Sequence, residues 1–376
     1  MSKPYIYLDH AAATPLDPRV QAAMQPYLAE QFYNPSATYA AARQIRQALD
    51  EARAKVAYWL GARPSEIIFT AGGTEANNLA VHGVMQRFPK ANIVVSAIDH
   101  DSVLVPAQSY DYRKVRAQPD GRLDMADLAK KIDDNTVLVG IGYTNNEIGT
   151  VQPIREISRL IAQARQKRSS KSKLPLYFHT DACQAGNFLD LHVARLGVDM
   201  MTLNGGKIYG PKQSGALYLK AGMELEPLIS GGGQERGLRS GTENVAASIG
   251  FAIALDLVQA SRRSESARLQ KLQQQFMAGL EEISTLNGSL KYRLPNNIHA
   301  TFPGQDNERL LIQLEEQGIL AAAGSACSAS TQEPSHVLKA IGLNDADARA
   351  SLRFTLGREN TAKDVDKAIE TLNKIL

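Results

Sequence analysis

The sequence predicts an α/β fold: a large domain with a mostly parallel sheet flanked by helices, and a smaller α+β domain toward the C-terminus. Three observations carry this expectation. Short apolar runs alternate with helical patterns between about residues 66 and 219. Several of those runs end in Gly, Asn, Thr or Asp, the residues expected where strands meet a ligand crevice. Near Thr242 the alternation gives way to one long helical stretch and then to mixed strands and helices.

Taken in order, residues 1–17 read as a short strand and a turn, punctuated by Pro4 and Pro15. PRVQAAMQPYLAEQ looks helical and is broken by Tyr33-Asn34-Pro35-Ser36. Thr38 to Leu60 is an Ala-, Arg- and Gln-rich helix ended by Gly61. The expected strands are Glu66–Thr70, Asn92–Ala97, Val137–Thr144, Leu176–Asp181, Met200–Leu203 and Ala216–Leu219. Glu243 to about Ile283 reads as one helix, apolar first and charged later, able to run from one domain into the other. The resulting division gives 15–255 to the large domain. Residues 1–14 and 256–376 go to the small one, which carries a mobile loop at 321–331. Gln166 to Lys173, QKRSSKSK, reads as a solvated loop.

Bulk properties exclude several classes. A net charge of +3 over 376 residues gives no argument for direct nucleic-acid binding. No run of about 18 apolar residues and no charged-then-apolar start is present, so no membrane span is expected and the expected location is cytoplasmic. Cys183 and Cys327 are the two cysteines, too few for a disulfide framework or a structural zinc site.

The chemistry-bearing stretches lie at strand ends. Met200-Met201-Thr202-Leu203 runs into Asn204-Gly205-Gly206 and then Lys207. A lysine beside an apolar wall loses proton affinity, and a neutral amine can condense with a carbonyl. Phe69-Thr70-Ala71-Gly72-Gly73-Thr74 ends a strand and opens a helix. It is either a glycine turn with a Thr cap or a phosphate cradle built on Gly73 and Thr74. Asp181 closes another buried strand, where it can cap the next helix or pair with a protonated ring nitrogen. His100 follows a third strand and can stack on a ring or move protons. Asn145-Asn146-Glu147 places amides at a fourth. GGGQERGLRSGT, at 231–242, can bind an anion or face a second subunit. Ala321 to Ser330 holds no large side chain, so Cys327 is expected on a mobile segment, as a nucleophile on a swinging arm. Arg353 lies on an apolar strand, where a bidentate clamp on a substrate carboxylate is its natural use.

Together these segments resemble the cysteine desulfurases of the NifS/IscS type, within the class V aminotransferase group. The resemblance runs from Tyr7-Leu8-Asp9 to Arg358. It includes Asn34-Pro35, TAGGTEANN, NNEIG, GGKIYGPK, GGGQERGLRSGT, GSACSAS and LRFTLGR in the family's order. It implies a homodimeric pyridoxal-phosphate enzyme of fold type I. Lys207 then matches the Schiff-base lysine, His100 the histidine stacked on the ring, and Asp181 the carboxylate on the pyridine nitrogen. Gln184 matches the partner of the ring oxygen, and Gly73 and Thr74 the phosphate cradle. Thr242 matches the threonine that reaches the neighbouring subunit's phosphate. Asn34, Asn146 and Arg353 match substrate-binding positions, Asn146 also facing the cofactor, and Cys327 the persulfide cysteine. Where the family usually has Ser-Gly-His-Lys, this chain has Asn204-Gly205-Gly206-Lys207. The phosphate grip is therefore expected to be one side-chain donor short, with Asn204 still able to donate.

The function implied is conversion of L-cysteine and an acceptor thiol to L-alanine and a persulfide, with the cofactor on Lys207 and the sulfur on Cys327. The sulfur would go to an iron–sulfur scaffold or a thiolation enzyme. No resident metal is expected, Cys327 being open only to transient contact with an iron–sulfur cluster. The rival readings are another class V enzyme, a selenocysteine lyase or an aminotransferase, and a non-catalytic protein that keeps the fold.

Overall fold

The computed structural model describes residues 5–168, 172–324 and 334–376. After the short β1 (Ile6–Tyr7), the strands are β2 (Ile67–Thr70), β3 (Asn92–Ser96), β4 (Asp111–Val115) and β5 (Thr136–Gly140). β6 (Tyr177–Asp181), β7 (Met200–Asn204) and β8 (Gly215–Leu219) follow. β2 to β8 form a seven-stranded sheet in the order β2-β8-β7-β6-β5-β3-β4. β8 runs antiparallel to both β2 and β7, and the other pairings are parallel. The parallel strands therefore share one carboxyl edge, where open α/β sheets bind their ligands.

All six strands expected from periodicity between 66 and 219 form. Two differences have physical reasons. β4 was not expected, because Asp-Tyr-Arg-Lys-Val carries the polar sequence of an exposed sheet edge. β5 stops at Gly140, short of the expected Thr144. Beyond it Ile141 and Tyr143 still donate backbone hydrogen bonds to His179 and Asp181, but the chain then turns, and Gln152 donates back to Tyr143. In the expected N-terminal helix, Pro26 separates Pro18–Met24 from Pro26–Ala29.

Helices cover both sheet faces. Ala40–Leu60 turns Ile45, Leu49, Ala52 and Val56 inward onto Phe69, Phe251 and Leu255. On the other face Gly73–Met85 packs Ala76, Leu79, Ala80 and Val84 onto Ile68, Ile93 and Val95. Helix Val245–Leu280, capped by Asn244 Oδ1 on the Ala247 N–H, spans 36 residues. It is long and apolar enough to cross a membrane, but two-thirds of its most apolar window is buried against the rest of the chain. Its second half joins a separate apolar cluster with Leu8, Phe302, Leu310, Phe354 and Val365. That cluster also covers β9 (Thr285–Leu286), β10 (Asn297–Thr301), β11 (Ile319–Leu320) and β12 (Ser351–Thr355). β10 lies between β9 and β12, and β1 pairs with β11 in parallel. The N-terminal segment thus packs against the C-terminal part of the chain.

The glycine-rich 231–242 loop is tied down by a buried ion pair. Arg53 donates to both carboxylate oxygens of Glu235, at 2.7 and 2.6 Å, and Glu235 also accepts the Phe69 N–H. Arg236 is used on the Ser65 carbonyl and Arg239 on Glu75, so the arginines of this loop are engaged within the chain. Removing one partner of a buried pair strands the other charge, at a cost of about 3–5 kcal/mol. Arg53→Ala should therefore destabilise the protein by about that amount in equilibrium denaturation. Arg53→Met with Glu235→Leu, which removes both charges, should cost less. A double variant less stable than Arg53→Ala would show that the pair is not what holds the loop.

Candidate active site

At the shared carboxyl edge lies a cleft that gathers most of the residues expected from sequence. Lys207 closes a single 3-10 turn, Gly205–Lys207, directly after β7. Asn204 builds that turn by accepting the Gly206 N–H on Oδ1 at 3.0 Å. The Lys207 ammonium reaches the carbonyls of Ala11 at 2.8 Å and Ala12 at 2.5 Å. Gln184 Nε2 donates to the same Ala11 oxygen at 2.9 Å, so the two side chains expected to flank a ring converge on one point.

Asp181 ends β6, the neighbour of β7. One carboxylate oxygen accepts the Cys183 N–H at 2.9 Å and the other the Asn77 amide at 2.7 Å. His100 caps helix Asp101–Ala107 beyond β3 and accepts the Ser102 N–H on Nδ1. Asn146 lines the same cleft from the loop after β5.

The opening of helix Gly73–Met85 supplies the anion end. No side chain caps it, so first-turn N–H groups and the helix dipole face outward. A β-carbon at Gly73 would come within 2.6 Å of Cys183 Sγ and 3.4 Å of Asn204 Nδ2. Glycine is therefore required there, and the Asn204 amide lies beside the helix end. At Gly206 the nearest atoms to an added β-carbon would be 3.5 Å away or more, so the position is open to a side chain. An uncapped helix end beside an amide, a reachable amine and a half-buried carboxylate fit a phosphate-bearing carbonyl compound with a basic ring nitrogen.

Two expected residues lie elsewhere. Asn34 is exposed and caps Ser36 within its own turn. Thr242 is exposed and does not line the cleft. Cys327 and most of the 321–331 loop lie outside the described residues. Arg353 does reach the cleft, but as more than an open clamp. Its side chain is 1% exposed, its guanidinium donates to Asp9 at 2.6 Å and to the Asn146 carbonyl at 3.1 Å, and its Nε has no hydrogen-bond partner among the described residues. Asp9 was read only as the start of a resemblance, and its role depends on a contact 344 positions away. Asp99, Asn77 and Ser102 were also missed, although Asn77 sits inside TEANN and Asp99 beside His100.

Burial pushes the Cys183 thiol well above its ordinary value, and the Asp181 charge adds to the shift. Burial likewise pushes the Asp99 carboxyl up to about 7; N–H bonds from Gly142 and Ser96 oppose the shift, and the Asp181 charge adds a little to it.

A lysine at a strand end, with a carboxylate, a histidine and an uncapped helix start around one cleft, defines a lysine-centred enzyme on a mostly parallel sheet. The chain belongs to the class-V aminotransferase family, whose model matches residues 6–368. It is 40% identical to the cysteine desulfurase IscS of Dictyoglomus turgidum, over 99% of this chain and 94% of that relative. A solved NifS-like protein superposes with a TM-score of 0.90 at 30% identity, covering 99% of this chain and all of that one. The structure of SspA in complex with cysteine gives 0.81 at 35% identity, over 93% and 98% of the two chains.

The Asp99 shift has a readable sign. Its folded value of about 7 lies above the ordinary 3.8, so the folded chain keeps a proton that the unfolded chain releases. The contribution is complete below 3.8 and is lost as the pH rises to about 7. The denaturation midpoint of the cofactor-free wild type minus that of Asp99→Asn should fall across this interval and be flat above it. Buried His179 and His299, pushed down to about 4 and about 3, titrate in the opposite sense but cancel in the difference. A difference that rises with pH would contradict the assignment.

Proposed function

We propose that the chain is a pyridoxal-phosphate-dependent cysteine desulfurase that moves sulfur from L-cysteine onto its own Cys327 and releases L-alanine. The observation that carries this reading is the convergence of Lys207, Gln184, Asp181 and His100 on one cleft at the carboxyl edge of the sheet. The family and the cysteine-bound relative support it.

When bound, pyridoxal phosphate supplies an electron sink that weakens bonds at the substrate's Cα and Cβ. The residues of this chain do the rest. The helix start at Gly73-Thr74 and the Asn204 amide hold the phosphate. Asp181 keeps the ring nitrogen protonated, and Gln184 donates to the ring oxygen. Arg353, already oriented by Asp9, and Asn146 receive the substrate carboxylate. Lys207 takes the Cα proton. The Cys327 thiolate attacks the substrate sulfur and the Cβ–S bond breaks; a proton delivered to Cβ, with His100 Nε2 as the proton handler, and a proton returned to Cα by Lys207 complete alanine. Cys183 is unsuited to the thiolate role, since burial keeps its thiol protonated.

The partners in this reading are a second copy of the chain and a sulfur-acceptor protein, either an iron–sulfur scaffold or a thiolation enzyme. Thr242, exposed and outside its own cleft, is suited to the phosphate of the other subunit. Residues 15–255 form the cofactor-binding unit in this account, and 1–14 with 256–376 the smaller one.

The test is incubation with L-cysteine alone, scoring alanine and mapping persulfide by mass spectrometry. The wild type should form alanine without added 2-oxo acid and carry the persulfide on Cys327. Lys207→Ala should form none, and Cys327→Ser should retain cofactor without a persulfide. Alanine that requires a 2-oxo acid would make the protein an aminotransferase. Persulfide on Cys183 would overturn the assignment of the nucleophile.

A further inference from the structure

Asn77 and Ser102 belong to none of the roles above, yet they join two groups that have one. Asn77 is fully buried in helix Gly73–Met85. Its amide nitrogen donates to Asp181 Oδ2 at 2.7 Å and to Ser102 Oγ at 2.8 Å. Its Oδ1 is buried with no hydrogen-bond partner among the described residues. A buried orphan acceptor is costly, but turning the amide over would set its oxygen against the Asp181 carboxylate and lose the bond that the carboxylate accepts. The amide is therefore fixed with both hydrogens committed.

That commitment orients the next group. Ser102 Oγ accepts from Asn77, so its own hydrogen must go elsewhere, and His100 Nδ1 lies 2.8 Å away. The Ser102 backbone N–H donates to the same nitrogen at 3.0 Å. Nδ1 thus accepts twice, and the neutral imidazole carries its proton on Nε2. The bonds run without a break from Asp181 through Asn77 and Ser102 to His100, from β6 to the helix that His100 caps.

We propose that Asn77 and Ser102 are positioning residues that couple the Asp181 carboxylate to the tautomer and orientation of His100. The carboxylate that would hold a ring nitrogen and the imidazole that would move protons are then set by one network rather than independently. The kinetic consequence rests on the desulfurase reading; the coupling itself does not. Neither residue touches the reacting atoms. Their effect is to keep Nε2, and not Nδ1, as the nitrogen available to the cleft.

The experiment uses the cofactor-loaded protein with ¹⁵N-labelled histidine. Ser102→Ala should move the His100 Nδ1 resonance because it removes a direct donor. Asn77→Ala, which makes no bond to the ring, should move it as well; Asn77→Leu, which keeps the volume, is carried alongside. In turnover, each variant should lower kcat by about tenfold with KM for L-cysteine within about twofold. Asn77→Ala combined with Ser102→Ala should be no worse than either alone. Ser102→Thr, which keeps a hydroxyl, should restore both the resonance and kcat. A Nδ1 resonance unmoved by both Asn77 variants, or two fully additive losses in kcat, would overturn the coupling. The resonance is read without substrate, so failure to form alanine would count against the desulfurase reading and leave the resonance result standing.

Discussion

The site depends on where the Lys207 amine is held. A lysine at the end of a buried strand needs acceptors. The carbonyls of Ala11 and Ala12 supply them from 196 and 195 positions away. That segment has to be anchored before the amine can be placed, and several contacts anchor it. β1 pairs with β11, Thr14 bonds the Gly206 carbonyl, and Asp9 is clamped by Arg353. The Gly205–Lys207 turn, the N-terminal segment and β12 therefore form one assembly around the amine.

The Asp9–Arg353 pair gives that assembly its rigidity and its polarity. Arg353 is almost wholly buried, and among the described residues Asp9 is the carboxylate that pairs with it. The pair fixes the guanidinium at the cleft wall before any ligand arrives. The lone Nε with no partner shows that protein groups do not use all of its donors. A pre-oriented arginine loses less freedom on meeting a carboxylate than one on a flexible loop.

Much of this was legible in the sequence where the signal is local. Apolar runs ending in Gly, Asn or Asp marked the strands and the crevice edge, because a strand's buried interior and its polar exit are both written in consecutive residues. Lys207, Asp181, Gln184, His100 and Gly73 were found that way and through resemblance, and the structure brings them to one cleft. What depends on distant contacts was not legible. The alanines at 11 and 12 act through backbone carbonyls, which leave no mark in side-chain chemistry. Asp9 matters only because β12 comes to lie beside it, and Asn77 because β6 and the His100 helix flank it. β4 was missed for another reason: an edge strand keeps a polar sequence, and periodicity needs a buried face to be seen.

In the proposed function Lys207, held by the N-terminal carbonyls, is the amine that bears the carbonyl cofactor. Borohydride reduction of the protein loaded with pyridoxal phosphate, followed by peptide mass mapping, tests it most directly. One stoichiometric pyridoxyl label is expected, on the peptide containing Lys207, with Lys212 and the surface lysines unlabelled. A label on Lys212, or one spread over surface lysines with Lys207 unmodified, would contradict it.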